Sequence, residues 1–338
     1  MNGIQRVMAA INGEEKDRLP LSLTLSLYGA RLTDCPLNEY YTDSKKYVEG
    51  QQKVFDEIGP DIIFGPFALP LYGKAFGSEI KFFDDQAPNL TKPVVKKIED
   101  IKNLDFEKAL ESVEINYFVQ TVKRLSGSLG KDVIIAPIAL SPVDLPIMFM
   151  GIGDWLDIVL TYPEKAEALI EKTSEFFLKL SDLFFDSGAS TIVMPSTFVN
   201  PTIITKEIAN NFQSVLDNTF PKSKGPLIMH SGGAKMIPFL EIFEEISNVA
   251  AFVINSDDKL KTARERLSNG HVIIGNIEGP DMGNLNRDEI IESTKKICAT
   301  FGKDPNFIFG SSAADISFYT PVENIKIIKE TIENIYES

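Results

Sequence analysis

The chain alternates between short apolar runs rich in β-branched residues and longer stretches whose apolar positions recur at helical spacing. Short apolar runs are typical of strands that are buried on both faces of a parallel sheet, and the longer stretches indicate amphipathic helices. Repetition of this unit predicts an α/β fold with a parallel sheet. The predicted strands are 19–27, 61–66, 133–140, 190–194, 226–230, 250–255, 271–277 and 306–309.

Eight strands separated by helices favour a closed (β/α)8 TIM barrel, formed by one domain over residues 1–338. A doubly wound open sheet is the alternative. The sequence has no Gly-x-Gly-x-x-Gly turn after an early strand and no Gly-Lys-Ser/Thr phosphate loop, so nothing in it indicates a bound nucleotide. The predicted helices include 44–58, 165–186, 206–220, 237–246, 259–267, 288–301 and 322–336.

Residues 71–97 are too irregular for a single helix, since they contain Gly73, Gly77, Pro88 and Pro93. Long irregular connections in compact domains are commonly functional loops. We expect this segment to form an insertion loop over the barrel mouth and to help close a pocket there.

Charge and composition exclude several classes of protein. The formal net charge is −14, and no cluster of Lys and Arg is interleaved with aromatic residues, which argues against a nucleic-acid partner and an anionic membrane surface. The N-terminal segment lacks the apolar core of a secretory signal, so we expect a cytoplasmic location. Cys35 and Cys298 lie far apart, which is typical of reduced thiols and not of a disulfide framework.

In a barrel, the chemistry lies where the strands end and the βα loops begin. His230 ends an apolar strand before Ser-Gly-Gly and is one of two histidines, so it is a candidate for catalysis or ligand binding. The alternative, a histidine that only hydrogen-bonds a loop, stays open. His271 begins a strand at the opposite end and is expected to be structural. Glu278 follows a strand beside Asn276, either as an acid, base or ligand or as a solvated surface carboxylate.

Other candidates lie at the same predicted end of the sheet. Arg31 can bind an anionic group in a bidentate manner, and Asp315 lies near the end of the last strand, although either can instead pair with a neighbour. Phe67 and Phe198 suggest a pocket for a planar group, or core packing.

Asp257 and Asp258 allow two interpretations. As neighbouring carboxylates they can form a paired acid–base site. Ser-Asp-Asp before a helical stretch is also typical of a helix N-cap, with negative charge favourable at the helix N-terminus, and we favour capping.

The chain opens with Arg6-Val-Met-Ala-Ala-Ile-Asn-Gly-Glu14, followed by Asp17-Arg-Leu-Pro20. Later motifs follow in a characteristic order. They are Gly59-Pro-Asp-Ile-Ile-Phe-Gly65, Gly188-Ala-Ser-Thr-Ile-Val193, Pro226-Leu-Ile-Met-His-Ser-Gly232, Gly275-Asn-Ile-Glu278 and Thr320-Pro-Val-Glu-Asn-Ile325. Together they resemble the uroporphyrinogen decarboxylase superfamily over almost the whole chain, and this resemblance also implies a barrel enzyme.

The resemblance is closer to one branch of that superfamily than to the other. The decarboxylases carry an Arg-rich Met-Arg-Gln-Ala-Gly-Arg segment and an aspartate after the second strand, whereas this chain has Leu25-Ser-Leu-Tyr-Gly-Ala-Arg31 and Pro66. A single arginine can pair with only one of the several carboxylates of a polycarboxylated tetrapyrrole. Residues 64–67 and 79–93 resemble the branch of methyltransferases that exchange methyl groups with a corrinoid protein.

Thiol-methylating members of that branch bind zinc through a His-x-Cys-Gly turn and a late Gly-Cys. Here His230 matches the histidine, but Gly232 stands at the first cysteine and Ala314, or Ala313, at the second. A single histidine does not hold zinc, so the resemblance leaves zinc in question. A metal site built from His230, Glu278 and Asp315 and metal-free chemistry both remain open.

The resemblance therefore implies a corrinoid-linked methyltransferase of anaerobic one-carbon metabolism, which acts with a partner corrinoid protein on a small methyl donor or acceptor. An aryl methyl ether is the donor that the aromatic loop residues suggest, as in an O-demethylase. His230 or Glu278 would act as the acid, and Tyr28, Arg31 and Asn276 would position the donor. The alternatives are a lyase, which needs a cluster of Arg or Lys at the mouth, and a non-catalytic barrel that lost its zinc site.

Overall fold

The computed structural model describes residues 1–267 and 270–337, which form an α/β fold. The strands are β1 Leu21–Ser22, β2 Ile62–Phe64, β3 Glu79–Lys81, β4 Asn89–Lys92, β5 Ile134–Ala136, β6 Ile192–Pro195, β7 Leu227–His230, β8 Val249–Val253, β9 Val272–Glu278 and β10 Phe307–Ser312. The α-helices are α1 Gly3–Asn12, α2 Tyr28–Leu32, α3 Leu37–Tyr40, α4 Ser44–Glu57, α5 Pro70–Ala75, α6 Phe106–Leu110, α7 Val113–Leu129, α8 Pro146–Met150, α9 Ile152–Thr161, α10 Pro163–Asp186, α11 Lys206–Thr219, α12 Leu240–Glu244, α13 Leu260–Arg266, α14 Arg287–Phe301 and α15 Val322–Glu337. Short 3₁₀ helices span Ile98–Asn103, Phe220–Lys222, Ile237–Phe239 and Pro280–Asn284.

Six parallel strands form one curled sheet, a half-barrel, in the order β1-β10-β9-β8-β7-β6. The other two strands of the predicted set, β2 and β5, form a separate parallel pair. Each predicted strand overlaps one observed strand, although β6, β8, β9 and β10 extend beyond the predicted bounds at one end. The prediction worked because every residue of β2, β5, β6 and β7 is buried, which requires the continuous apolar runs seen in the sequence.

Individual hydrogen bonds link the β2–β5 pair to the two edges of the half-barrel. At one edge the Asp61 N–H donates to the Leu21 carbonyl at 2.8 Å. At the other, the Val193 N–H donates to Pro137 at 2.9 Å and the Ala139 N–H donates to Val193 at 3.0 Å. The carboxyl ends of all these strands therefore point toward the same side of the molecule.

A buried ionic cluster lies at the opposite side, where β1 and β2 begin. The Asp61 carboxylate accepts hydrogen bonds from Arg6 Nη1 at 2.5 Å, from Arg18 Nη1 at 2.8 Å and from the Leu21 N–H at 2.7 Å. Asp17 pairs with Arg6 at 2.7 Å on the solvent side. The charged residues of the N-terminal motif thus hold helix α1 and strand β1 against β2.

The segment 71–97 forms the antiparallel hairpin β3–β4 after α5, a pairing that the sequence analysis did not predict. Tyr319, from the loop after β10, donates a hydrogen bond from its hydroxyl to Asp85 Oδ2 at 3.0 Å. This bond joins the hairpin turn to the loop after β10. Among the described helices, none combines the length and apolar character needed to cross a bilayer.

We expect Asp61→Asn to lower the free energy of unfolding by roughly 3–5 kcal/mol, because it leaves two buried guanidinium groups without their shared counter-charge. Chemical denaturation at neutral pH measures the change. The exposed Asp217 offers a matched control, and Asp217→Asn should shift the unfolding free energy by about 0.5 kcal/mol or less. Equal stabilities of the two variants would contradict a structural role for the cluster.

Candidate functional site

A cavity of about 690 Å³ opens at the carboxyl ends of the strands, between the β3–β4 hairpin and the loop after β10. Its walls combine aromatic and aliphatic side chains with a few polar groups, as small-molecule sites do. The wall residues include Leu27, Phe67, Leu69, Asp85, Met148, Asp315, Phe318 and Tyr319. We refer to it as the mouth cavity.

His230 ends strand β7 and is buried, with 1% of its surface exposed. Its Nδ1 accepts a hydrogen bond from the Gly232 N–H at 3.0 Å, so the neutral ring carries its hydrogen on Nε2. Within the described part of the chain, Nε2 is buried without a hydrogen-bond partner. Burial lowers the pKa of His230 to about 4, so the imidazole is neutral at pH 7.

Phe67 connects His230 to the mouth cavity. Its ring centroid lies 6.0 Å from that of His230, and its backbone N–H donates to Ser26 Oγ at 2.8 Å. Phe67 is half-buried and lines the cavity, whereas His230 does not reach the surface. The unpartnered N–H group of His230 therefore lies behind the cavity wall beside Phe67.

Asp315 follows β10 and lines the same cavity. Its Oδ1 accepts a hydrogen bond from the Leu27 N–H at 3.0 Å. Removal of the carboxyl group from water raises the pKa of Asp315 to about 7, although backbone N–H groups of Leu27 and Ser26 partly oppose this shift. Phe67 and Asp315 are thus the two predicted site residues that the structure brings to the mouth cavity.

Tyr28 and Arg31 have other partners. The buried Tyr28 hydroxyl donates to the Thr320 carbonyl at 2.6 Å, and Arg31 Nη1 donates to the carbonyls of Phe318 and Thr320 at 2.5 Å each. The guanidinium also lies over the Tyr28 ring, 5.3 Å from its centroid. These contacts anchor the loop after β10 and do not support the predicted substrate-binding role of either residue.

Glu278 and Asn276 lie away from His230. Across the sheet His230 pairs with Val253 and Val253 pairs with Ile274, so Glu278 lies four residues further out, roughly 13 Å along the strand direction. The carboxyl ends of β7 and β9 lie at the same edge of the sheet, as predicted, but the side chains of His230 and Glu278 do not meet there.

Glu278 accepts a hydrogen bond from Ser256 Oγ and lines a second cavity of about 440 Å³ together with Asp257 and Asp281. The Asn276 side-chain amide donates to the carbonyls of Asn255 at 2.8 Å and Asp258 at 3.0 Å. Both hydrogens of that amide group are therefore engaged with the loop after β8.

Phe198 is a core residue and not a pocket residue. It is fully buried and packs against Trp155 and Phe212, with ring centroids 5.8 Å and 6.2 Å away. Its N–H donates to Asp144 Oδ1 at 2.6 Å. The proposed pocket role of Phe198 is therefore not supported, because its ring turns inward from the loop after β6.

Two aspartates have structural roles that the sequence analysis did not assign. The buried Asp144 accepts hydrogen bonds from Ser141, from Thr197 and from the Phe198 N–H, which ties the loops after β5 and β6 together. Asp258 accepts from the N–H groups of Met236 at 2.6 Å and Ile237 at 3.3 Å. The expectation that it caps its own helix is wrong, because the N-cap of α13 is Lys259, without a side-chain cap.

The residues around His230 do not fit a zinc site. Metal-binding histidines donate their second ring N–H to an acceptor, whereas His230 Nδ1 itself accepts one. Gly232 has φ +62° and an added Cβ would lie 2.4 Å from the Ser196 carbonyl oxygen, so the backbone leaves no room for a cysteine. No group of three His, Cys, Asp or Glu side chains suited to a metal occurs in the described ranges.

Comparison with known proteins places the chain in a family. The family model described as uroporphyrinogen decarboxylase (URO-D) matches residues 2–335. The chain belongs to the uroporphyrinogen decarboxylase family. The family predicted from the sequence motifs is therefore confirmed.

Related proteins are distant in sequence but similar in fold. The methylated-thiol–coenzyme M methyltransferase of Methanosarcina mazei is 21% identical over 332 residues, which cover 96% of this chain and 88% of that protein. A solved methyltransferase from Methanosarcina mazei has a TM-score of 0.88 at 17% identity and covers 99% of both chains. A B12-independent methionine synthase from Shewanella sp. W3-18-1 has a TM-score of 0.58 at 12% identity, with 95% of this chain and 98% of that chain covered.

We expect the double variant Gly232→Cys, Ala314→Cys to bind well below one zinc per chain. The new Cβ at residue 232 meets the Ser196 carbonyl in a left-handed conformation, which should cost roughly 1–3 kcal/mol of folding stability. Elemental analysis and denaturant unfolding measure the two effects, with Ala314→Cys alone as the control of near wild-type stability. One zinc per chain at wild-type stability would contradict the steric argument.

The buried neutral His230 should make folding stability depend on pH between about 6.5 and about 4. Because the unfolded state takes up a proton at higher pH than the folded state, stability is full above pH 6.5 and falls by up to about 3 kcal/mol as the pH drops to 4. Unfolding curves measured across this range should show a shallower slope for His230→Gln. A wild-type slope in His230→Gln would contradict the burial effect.

Proposed function

We propose that this protein is the substrate-side component of a corrinoid-dependent methyltransferase of O-demethylase type. It would transfer a methyl group from a small donor, such as an aryl methyl ether, to a corrinoid carried by a partner protein. The mouth cavity carries this proposal, because it is open, aromatic-walled and adjacent to a buried N–H donor. The names of the Methanosarcina mazei relatives add support for methyl transfer.

The architecture in this proposal is a single domain over residues 1–338 in which the eight parallel strands close as a (β/α)8 barrel. The hydrogen bonds between residues 61 and 21, and between residues 193 and 137, support closure because they join the β2–β5 pair to both edges of the half-barrel. In such a barrel the mouth cavity lies at the face where catalytic residues collect. The cytoplasmic location and the role in anaerobic one-carbon metabolism also belong to the proposal.

A corrinoid supplies a reduced cobalt centre that accepts the methyl group. The chain's own task is to hold the donor with its methyl group turned toward the partner and to stabilise the charge that develops on the leaving oxygen. The mouth cavity, with a volume of about 690 Å³, would hold the donor between the hairpin and the loop after β10. No step of this proposal passes through zinc.

His230 serves in this scheme as a hydrogen-bond donor and not as a titrating acid. Because the pKa of His230 is about 4, almost none of it is in the acidic imidazolium form at pH 7. The Nε2–H of the neutral ring can still donate a hydrogen bond to an oxyanion. A buried, otherwise unpartnered donor of this kind stabilises charge strongly, because no solvent reorganisation is needed. For the donor to reach it, Phe67 must shift, since that ring lies beside the imidazole at the cavity wall.

A lyase acting on a polycarboxylated substrate is less well supported. Such a substrate needs several cationic side chains, and none of the described residues that line the mouth cavity is a lysine or arginine. Arg31, the arginine that the sequence suggested, is turned to backbone carbonyls. The non-catalytic barrel remains as an outcome of the experiment below.

The test is a methyl-transfer assay with cob(I)alamin as the acceptor and a panel of aryl and alkyl methyl ethers, followed by the change in corrinoid absorption. We expect transfer by the wild type and a rate lower by roughly 10²–10³-fold for His230→Gln. His271→Gln, at the far end of the sheet, should stay within about twofold of the wild type. Absence of transfer from every donor would favour the non-catalytic barrel, and a wild-type rate in His230→Gln would remove His230 from the mechanism.

A further inference from the structure

The described residues that line the mouth cavity include acidic side chains but no basic ones. Of its lining residues in the described ranges, two are ionisable carboxylates, Asp85 and Asp315, and none is cationic. Asp85 lies at the hairpin turn and accepts the Tyr319 hydroxyl at 3.0 Å, whereas Asp315 lies where β10 ends. An anionic ligand would bring a further negative charge beside Asp85, and beside Asp315 whenever that group is ionised, with no cationic lining residue to offset it, which is unfavourable.

We propose that Asp315 is the acid that protonates the leaving oxygen of the methyl donor, and that the mouth cavity takes uncharged donors and rejects anionic ones. This inference rests on the function proposed above and deepens it, because it assigns the proton and the substrate class. Asp315 would be a catalytic residue of the reaction, a role different from the substrate-binding role expected from the sequence.

The surroundings of Asp315 favour its neutral form. Buried Tyr40 and Tyr41 lie close enough to interact with the carboxyl group electrostatically, and both have a pKa raised well above 10 by burial, so they stay neutral. Arg31 donates from Nη1 to the carbonyls of Phe318 and Thr320. Removal of the carboxyl group from water raises the pKa of Asp315 to about 7, against the opposing effect of the Leu27 and Ser26 N–H groups, so about half the molecules hold its proton at neutral pH.

The other carboxylates near the strand ends are less suited to this task. Asp144 is 1% exposed and its oxygens accept hydrogen bonds from Ser141, Thr197 and Phe198. Glu278 lines the second cavity and not the mouth cavity. Asp315 is both turned to the mouth cavity and able to exchange a proton near pH 7.

The proposed transfer breaks one bond of the donor and forms one bond to the corrinoid. The O–CH₃ bond of the donor breaks, and the methyl carbon forms a bond to the reduced cobalt of the corrinoid, which supplies both electrons of the new bond. The electron pair of the broken bond stays on the oxygen, which takes the proton of Asp315 and leaves as a neutral alcohol or phenol. Asp315 becomes a carboxylate and regains its proton from solvent.

Three probes that share one ring test the proposal: anisole, 4-methoxybenzoate and trimethylphenylammonium. Anisole needs a proton on its leaving oxygen, whereas trimethylphenylammonium releases a neutral amine and needs none. With cob(I)alamin as the acceptor, Asp315→Asn should lower kcat/KM for anisole by roughly 10²–10⁴-fold and for trimethylphenylammonium by less than about tenfold. The exposed Asp217→Asn is the matched control and should leave both values unchanged.

Two further readouts separate an acid from a merely structural residue. The wild-type rate with anisole should fall as the pH rises through about 7, and the residual rate of Asp315→Asn should not show this fall. A carboxyl group with a raised pKa contributes stability below its unfolded pKa of 3.8 and loses that contribution as the pH rises through 7. The Tm of Asp315→Asn minus that of the wild type should therefore be larger at pH 8 than at pH 4.

The outcomes distinguish a failure of the proposed function from a failure of the inference about Asp315. No wild-type transfer from any of the three probes overturns the proposed function, and the inference with it. Wild-type transfer combined with an undiminished anisole rate in Asp315→Asn, or with equal losses for anisole and trimethylphenylammonium, overturns the inference alone. Faster wild-type transfer from 4-methoxybenzoate than from anisole overturns the assignment of an uncharged donor.

Discussion

The buried carboxylate of Asp61 is the interaction on which the arrangement of the sheet depends. Its side chain binds Arg6, Arg18 and the Leu21 N–H, while its backbone N–H and carbonyl bond to Leu21 and Ile134. One residue therefore joins the first helix and strands β1, β2 and β5 at the end where these strands begin. Because parallel strands share a direction, this anchor also sets which loops meet at the other end, and the mouth cavity forms there.

Burial, more than residue type, gives the candidate site its chemistry. Desolvation lowers the pKa of His230 to about 4 and raises that of Asp315 to about 7, so a base becomes a neutral hydrogen-bond donor and a carboxylate becomes a proton carrier. Two groups whose environments move their pKa values in opposite senses can divide a proton-transfer task. The backbone at Gly232 adds a second local constraint, because its N–H donates to His230 Nδ1 and its close approach to the Ser196 carbonyl leaves no room for a cysteine side chain.

Prediction from sequence succeeded where burial leaves a periodic trace. The eight parallel strands were all placed, because both of their faces are buried and their apolar runs are continuous. The hairpin β3–β4 was missed because its residues are exposed or half-exposed and carry no apolar alternation. Among the predicted site residues, Phe67 and Asp315 line the mouth cavity and His230 lies beside Phe67, since the end of a strand locates a residue along the strand direction.

The sequence by itself determined the family, the places of the eight parallel strands along the chain, and the loops from which the site is drawn, because local periodicity and motif spacing are properties of the chain. Tertiary structure alone decided which side chains face the cavity. Tyr28, Arg31 and Asn276 were turned to backbone carbonyls, Phe198 into the core and Glu278 to a separate cavity, while Asp315 was left facing the mouth. The physical reason is that hydrogen-bond partners and desolvation come from residues distant in sequence, whose meeting no local pattern records.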